Sequence, residues 1–342
     1  MGKVTMQQIA DALSTSRISV WKALNNRPGI SQELRQQVWD MSRKLGYAKT
    51  EEAAEAVKPA AALTVSVVVA RPESSVFWMK IIHQIAKELS HNNINLMYTY
   101  IPSSYKSGYT LPSNLYDQSI AGVIVLNCYS ENILRMLARL RMPKVFLDTV
   151  PAVPPGELDG DLVYIEGRTL VREITGRIIQ SGRRKIGFVG DIEYAQTNLD
   201  RYLGFLDALA AGGLKPDPRL CLTGKLGLHT HYEEISRFLE GLAEMPDAFV
   251  CVSDYIAHFI QQYIDEHPTP ANKNVLLTGF DNSDEYLNVA GRITTVNVQT
   301  HRMGDRLARK IMFDIEHPDS SPEVSYVVSD ILYRGALKTD SE

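Results

Sequence analysis

The sequence predicts an all-α head of three short helices followed by an α/β body built on parallel sheets. Three observations carry this: capped helical repeats confined to the first 48 residues, a strand–helix alternation after residue 63, and a charge balance that changes sign between the two. Residues 1–50 hold eight basic and three acidic side chains, a net +5, so the rest of the −4 chain carries −9. A basic head on an acidic body points to a polyanionic partner for the head alone.

In the head, Thr5 followed three residues later by Gln8 is a capping box that opens a helix over Met6–Leu13. Ser14-Thr15-Ser16 makes a turn, and Ser16 caps a second helix running to Asn25. Asn26-Arg27-Pro28-Gly29 breaks the chain, Ser31 caps a third helix through Leu45, and Gly46 stops it. Ile9, Ala10, Leu13, Val20, Ala23, Leu24, Ile30, Leu34, Val38, Met41 and Leu45 recur at helical spacing and supply a small core. Two helices joined by so short a turn form the helix-turn-helix pattern, whose second helix lies in the DNA major groove. Burying Val20, Ala23 and Leu24 turns Arg17, Ile18, Trp21 and Lys22 outward. Arg and Lys suit guanine acceptors, and Ile18 suits a thymine methyl.

In the body, apolar β-branched runs at 64–70, 94–101, 122–126, 144–147, 185–189, 248–253 and 274–278 alternate with helical stretches at 77–90, 132–139, 169–180, 199–211, 231–243 and 255–266. Such alternation implies parallel sheets covered by helices, with ligands at the carboxyl ends of the strands. The strands are too many for one modest sheet. The Pro/Gly/Asp-rich stretch Pro151–Asp161 is the expected crossing between two lobes.

Other classes are disfavoured. No run of about 18 apolar residues offers a membrane span, and the polar N-terminus lacks a secretory pattern. Cys128, Cys221 and Cys251 are scattered and odd in number, as expected of reduced thiols in a cytoplasmic protein. No Gly-x-Gly-x-x-Gly follows a strand, Gly224-Lys225 is followed by Leu226, and no Gly-x-Ser-x-Gly occurs, so no catalytic residue is expected. His229 and His231, with Glu233 and Glu234, lack a further ligand at a metal-site spacing, so neither metal nor cofactor is expected.

Val4-Thr5-Met6-Gln7-Gln8-Ile9-Ala10, Ser16, Ser19-Val20, Leu24-Asn25, Ser31, Arg35, Val38 and Leu45-Gly46-Tyr47 resemble the head of LacI/GalR-family transcriptional regulators. The resemblance continues through Phe77-Trp78, Ser181–Gly190, Arg201-Tyr202-Leu203-Gly204-Phe205, Gly279-Phe280-Asp281-Asn282, Thr294-Thr295-Val296 and Gly304. It implies a helix-turn-helix DNA-binding domain over 1–48, a hinge over 49–62, and a periplasmic-binding-protein-like effector-binding and dimerisation domain over 63–338. The N-lobe would take about 63–160 and 292–321, and the C-lobe about 161–290 and 322–338, with later crossings near Asn288–Arg292 and His317–Glu323.

The same resemblance implies a homodimer on a pseudo-palindromic double-stranded operator, associated with the nucleoid and controlled by a small sugar-like effector. DNA contacts would fall on Thr5, Ser16, Arg17, Ile18, Ser19, Trp21, Lys22, Asn25, Ser31 and Tyr47, and on Ala53, Ala56 and Val57 of the hinge. Ala56 stands where the family wedges a Leu between base pairs, and Ala is too small to replace lost stacking. Phe77, Trp78, Asp148, Arg201, Ser253 and Asp281 would meet the effector, with Asp254 capping the helix beside them. A second reading keeps the same two-lobed body as a sugar-binding protein or carbohydrate enzyme with an incidental helical head. It predicts no salt-sensitive DNA binding.

Overall fold

A computed structural model describes residues 4–25, 27, 29–47, 63–70, 75–117, 119–227 and 229–338. The chain divides into two units, residues 1–62 and 63–342. The hinge segment with Ala53, Ala56 and Val57 lies outside the described residues.

The head folds from its caps inward. Helix α1 (Met6–Ala12) opens on the Thr5/Gln8 capping box, with both reciprocal hydrogen bonds present. Ser14 then takes a left-handed φ of +48°, a conformation more often given to glycine or asparagine. Ser16 Oγ accepts from Ser19 N (3.0 Å) to start α2 (Arg17–Leu24). Ser31 accepts from Leu34 N to start α3 (Gln32–Leu45), which ends at Gly46 with φ +69°. Ile9, Ala10, Val20, Ala23 and Val38 are fully buried, and Met6, Leu13, Leu24, Ile30, Leu34, Met41 and Tyr47 pack around them. Leu45, expected in this core, is 37% exposed at the end of α3.

The body begins with β1 (Thr64–Ala70), α4 (Val76–His91), β2 (Asn95–Ile101), β3 (Ile120–Leu126), α5 (Glu131–Ala138), β4 (Lys144–Leu147) and β5 (Asp161–Ile165). The chain then runs through α6 (Arg168–Gln180), β6 (Ile186–Val189), α7 (Gln196–Ala211), β7 (Cys221–Leu222), α8 (His231–Glu240), β8 (Ala248–Cys251), α9 (Asp254–Glu266), α10 (Pro270–Lys273) and β9 (Leu276–Thr278). It finishes with β10 (Thr295–Asn297), α11 (Thr300–Glu316), β11 (Val324–Val327) and β12 (Asp330–Leu332). The N-lobe sheet has the order β11-β5-β4-β3-β1-β2 and is parallel throughout. The C-lobe sheet has the order β7-β6-β8-β9 and is also parallel. Strand β1 shows why the runs are unbroken: Val65, Val67 and Val69 face one apolar cluster with α4, while Val68 faces a second with α5. A sheet covered on both faces needs apolar residues at successive positions.

The lobe crossings fall later than the sequence suggests. The expected first crossing at Pro151–Asp161 is followed by β5, which pairs with β4 and β11 in the N-lobe, so the chain leaves that lobe after Ile165. The second crossing lies between β10, bonded beside β9, and α11, packed on α4, rather than at Asn288–Arg292. The third lies between β11 and β12, not at His317–Glu323. Five-, four- and three-residue strands at these points are too short to show a period in the sequence.

The Arg201-x-x-Gly204 spacing has a packing cause. A Cβ on Gly204 would stand 2.1 Å from the carbonyl oxygen of Arg168, so α7 can approach the start of α6 only with glycine there. Gly204→Ala should destabilise the body by ~1–3 kcal/mol through overpacking, despite alanine's better helix propensity. Thermal melts of parent and variant check this, and an unchanged midpoint would contradict it. Among the described residues no helix is long and apolar enough to cross a membrane.

Candidate ligand cleft and nucleic-acid interface

Carboxyl ends of strands from both lobes converge on one cavity of about 240 Å³. Asn127 follows β3, Asp148 follows β4, Asp191 follows β6, Ser253 follows β8 and Asp281 follows β9. All five line it. Asn127, Asp148 and Asp281 have φ of +51°, +69° and +105°, left-handed positions at which a strand turns sharply and which Asn and Asp tolerate best. All six residues expected at an effector, Phe77, Trp78, Asp148, Arg201, Ser253 and Asp281, border this cavity.

Arg201, on α7, is buried at 6% exposure. Its Nη1 donates to the Val252 carbonyl (2.6 Å), and its guanidinium carbon stands 3.6 Å from the centre of the Phe280 ring. A Cβ on Gly167 would lie 2.8 Å from Arg201 Cγ, so the side chain is clamped along its length. Nε has no hydrogen-bond partner among the described residues. Burial pulls the guanidinium down from its ordinary range, opposed by Asp281 and then Asp148. No carboxylate makes a direct ion pair with it among the described residues.

Asp281, after β9 of the same lobe, faces the same space. Burial pushes its carboxyl up to about 7, with Arg201 opposing and Asp254 and Glu285 adding repulsion. A desolvated carboxylate and a desolvated guanidinium that share a cavity without touching are a donor–acceptor set suited to a polyhydroxylated ligand.

Asp148 has a different employment. Its carboxylate accepts from Thr149 N (2.8 Å), Thr197 Oγ1 (2.6 Å) and Thr197 N (3.4 Å), and burial pushes it up to about 6. Thr197 opens α7 in the C-lobe, so these bonds tie lobe to lobe. Gln196 N to the Thr149 carbonyl (2.8 Å) and the Tyr129–Tyr194 ring pair (4.5 Å) act beside them. On the opposite rim Glu285 accepts from Ser75 Oγ (3.2 Å) and Val76 N (3.0 Å), and Lys80 pairs with Asp284 (3.1 Å).

The expected cap at Asp254 is corrected. Ser253 is the N-cap of α9, its Oγ accepting from Ile256 N. Asp254 instead accepts from Thr295 Oγ1 and Ser283 N, both at 2.7 Å, and burial pushes it up to about 6. It therefore braces the loop that carries Asp281. Phe77 and Trp78 meet edge to face (5.2 Å) at the start of α4, which Ser75 caps. Asn127, Tyr129, Asp191, Tyr194 and Tyr286 also line the cavity without a signal noted in the sequence, as does His231, which the sequence suggests only as part of an incomplete metal set. The rule that ligands meet strand carboxyl ends would have found Asn127 and Asp191. The cross-lobe tyrosines carry no local signal. His231 stacks on Phe259 (5.9 Å) inside the cleft, and among the described residues no cluster of three or more metal-ligating side chains forms.

In the head, Arg17, Ile18 and Trp21 are exposed on α2, and Lys22 is half-buried. Thr5, Ser16 and Ser31 are exposed caps of the three helices, and Ser16 Oγ also meets Ser19 Oγ (2.9 Å). Asn25 returns its side-chain amide to the Trp21 carbonyl (2.8 Å), closing α2. Tyr47 packs against the head core, so its ring is at least partly structural.

The two lobes, their shared cleft and the capped three-helix head define a periplasmic-binding-protein-like body joined to a helix-turn-helix module. A model of the periplasmic binding protein-like domain matches residues 175–336. The chain is 23% identical over 339 residues to an HTH-type transcriptional repressor PurR of Mannheimia succiniciproducens, spanning 98% of each. It superposes on a complex of the transcriptional regulator CelR with cellobiose at TM-score 0.69, with 22% identity, 97% of this chain and 99% of that one. A lac repressor dimer bound to operator and the anti-inducer ONPF gives TM-score 0.67 with 16% identity, covering 99% and 100%. The chain thus resembles LacI/GalR-type transcriptional regulators along nearly its whole length.

Proposed function

We propose that this chain is a DNA-binding repressor, acting as a homodimer on a pseudo-palindromic operator in the cytoplasm, whose grip on DNA is set by a small sugar-like effector held between the lobes. The observation that carries the reading is the pair Arg201 and Asp281, both desolvated and facing one cavity, with no direct ion pair to either among the described residues. A buried guanidinium and a half-buried, desolvated carboxylate in that condition are costly unless a ligand completes them. The cavity volume, about 240 Å³, is below the ~300–1,000 Å³ of sites for drug-sized molecules, which favours a ligand of one ring over a long oligosaccharide. Two symmetry-related heads double the contacts that one three-helix module can make.

Selection of bound sequences from random duplex DNA, followed by a metabolite screen for compounds that alter binding, tests the proposal. Enrichment of a two-fold symmetric site with a steep salt dependence is expected. Indifference to sequence would contradict it. Within the enriched site, Lys22→Ala should cost ~1–3 kcal/mol at one position per half-site if Lys22 reads a guanine. Equal weakening on all sequences would make it a phosphate contact instead.

A further inference from the structure

Helix α2 shows more outward apolar surface than a helix that only pairs with phosphates requires. Ile18 is 67% exposed and Trp21 43% exposed, while Val20 and Ala23 of the same helix are fully buried. At i and i+3 the two side chains lie on one side of the helix with Cβ atoms ~5–6 Å apart. Positive charge frames them: Arg17 precedes, Lys22 follows, and the Arg27 guanidinium stands 5.9 Å from the Trp21 ring centre. Two side chains are far short of the ~800 Å² per partner that a stable protein interface buries. The surface therefore fits a polyanion that offers a few discrete apolar groups. Duplex DNA is such a partner, and in its major groove the thymine C5-methyl is the apolar feature among the base edges. With a rise of ~3.4 Å per base pair, the spacing from Ile18 to Trp21 spans one or two base steps.

We propose that Ile18 and Trp21 form an apolar reading ridge that seats on the C5-methyl groups of two neighbouring thymines in each operator half-site. This rests on the head being the DNA-binding module and specifies what the module reads. Arg27, over the indole, restricts the ring and keeps a charge beside the phosphates, so the ridge is held in place before DNA arrives.

The test uses the full chain and the duplex enriched by selection from a random library. Each thymine is replaced singly by deoxyuracil, which keeps the hydrogen-bonding edge and removes only the methyl. Two positions per half-site should each lose affinity about fourfold, the equivalent of ~0.8 kcal/mol for one buried methyl. Trp21→Ser, with folding checked by thermal melting, should abolish the loss at one of them, and Ile18→Ser at the other. An enriched site that binds equally well with uracil at every position overturns the ridge and leaves the DNA-binding role standing. Failure to enrich any sequence overturns that role as well.

Discussion

Arg201→Met is expected to fold, to bind operator like the parent in the absence of effector, and to lose the effector response. Methionine refills the space between Gly167 and the Phe280 ring without the charge. The lost charged hydrogen bond to ligand is worth ~1.5–3 kcal/mol, roughly a 10- to 150-fold fall in affinity. Two terms act on stability in opposite directions. Val252 loses its donor, while the cost of burying a guanidinium disappears. A ligand moves the equilibrium between lobe arrangements only through different affinity for the two, so a variant that binds weakly in both cannot transmit. Calorimetric titration of the ligand, with thermal melts of both proteins, checks this. Unchanged ligand affinity would remove Arg201 from the site, and loss of folding would make it a structural member of the cleft.

Asp281→Asn is expected to stabilise the ligand-free chain at pH 7.5 while abolishing ligand binding. Burial holds the Asp281 carboxyl up to about 7, against ~3.9 in an unfolded chain. The folded state therefore binds the proton more tightly than the unfolded state. The resulting stability is fully present below about pH 4 and is lost as pH rises to about 7, above which the whole cost of the buried charge is felt. Asp148 and Asp254, each pushed up to about 6, act with the same sign in the lower part of that window. Asparagine removes one of the three, and it tolerates φ of +105° about as well as aspartate, so the backbone term cancels. Melting temperatures at pH 5, 6 and 7.5 should show the variant less pH-dependent and the gap widest at the highest pH. Parallel profiles, or a parent more stable at pH 7.5, would contradict the assignment.

Much of this was legible from local chemistry. Thr5, Ser16, Ser31 and Gly46 mark helix ends because capping is written within three or four residues. Strand β1 is plain from its run of valines because both of its faces are buried. What failed were features set by distant partners. β5 is five residues behind a turn-rich segment, and only its pairing with β4 and β11 makes it a strand. Asp254 looks like a cap in sequence, yet Ser253 takes that role and Thr295, 41 residues away, claims its carboxylate. Asp148 was identified as a cleft residue, but its engagement with Thr197 depends on how two lobes close, which no local pattern encodes. The Tyr129–Tyr194 contact is invisible for the same reason.

On the proposed function, occupancy of the Arg201–Asp281 cavity is coupled to DNA affinity. The most direct measurement is the equilibrium affinity of the full chain for its selected operator duplex, at fixed salt, with and without the compound found by screening. A change of at least about fivefold is expected in the parent, the low end of allosteric coupling, and none in Arg201→Met at the same compound concentration. A compound that binds the cleft and leaves operator affinity unchanged would contradict it.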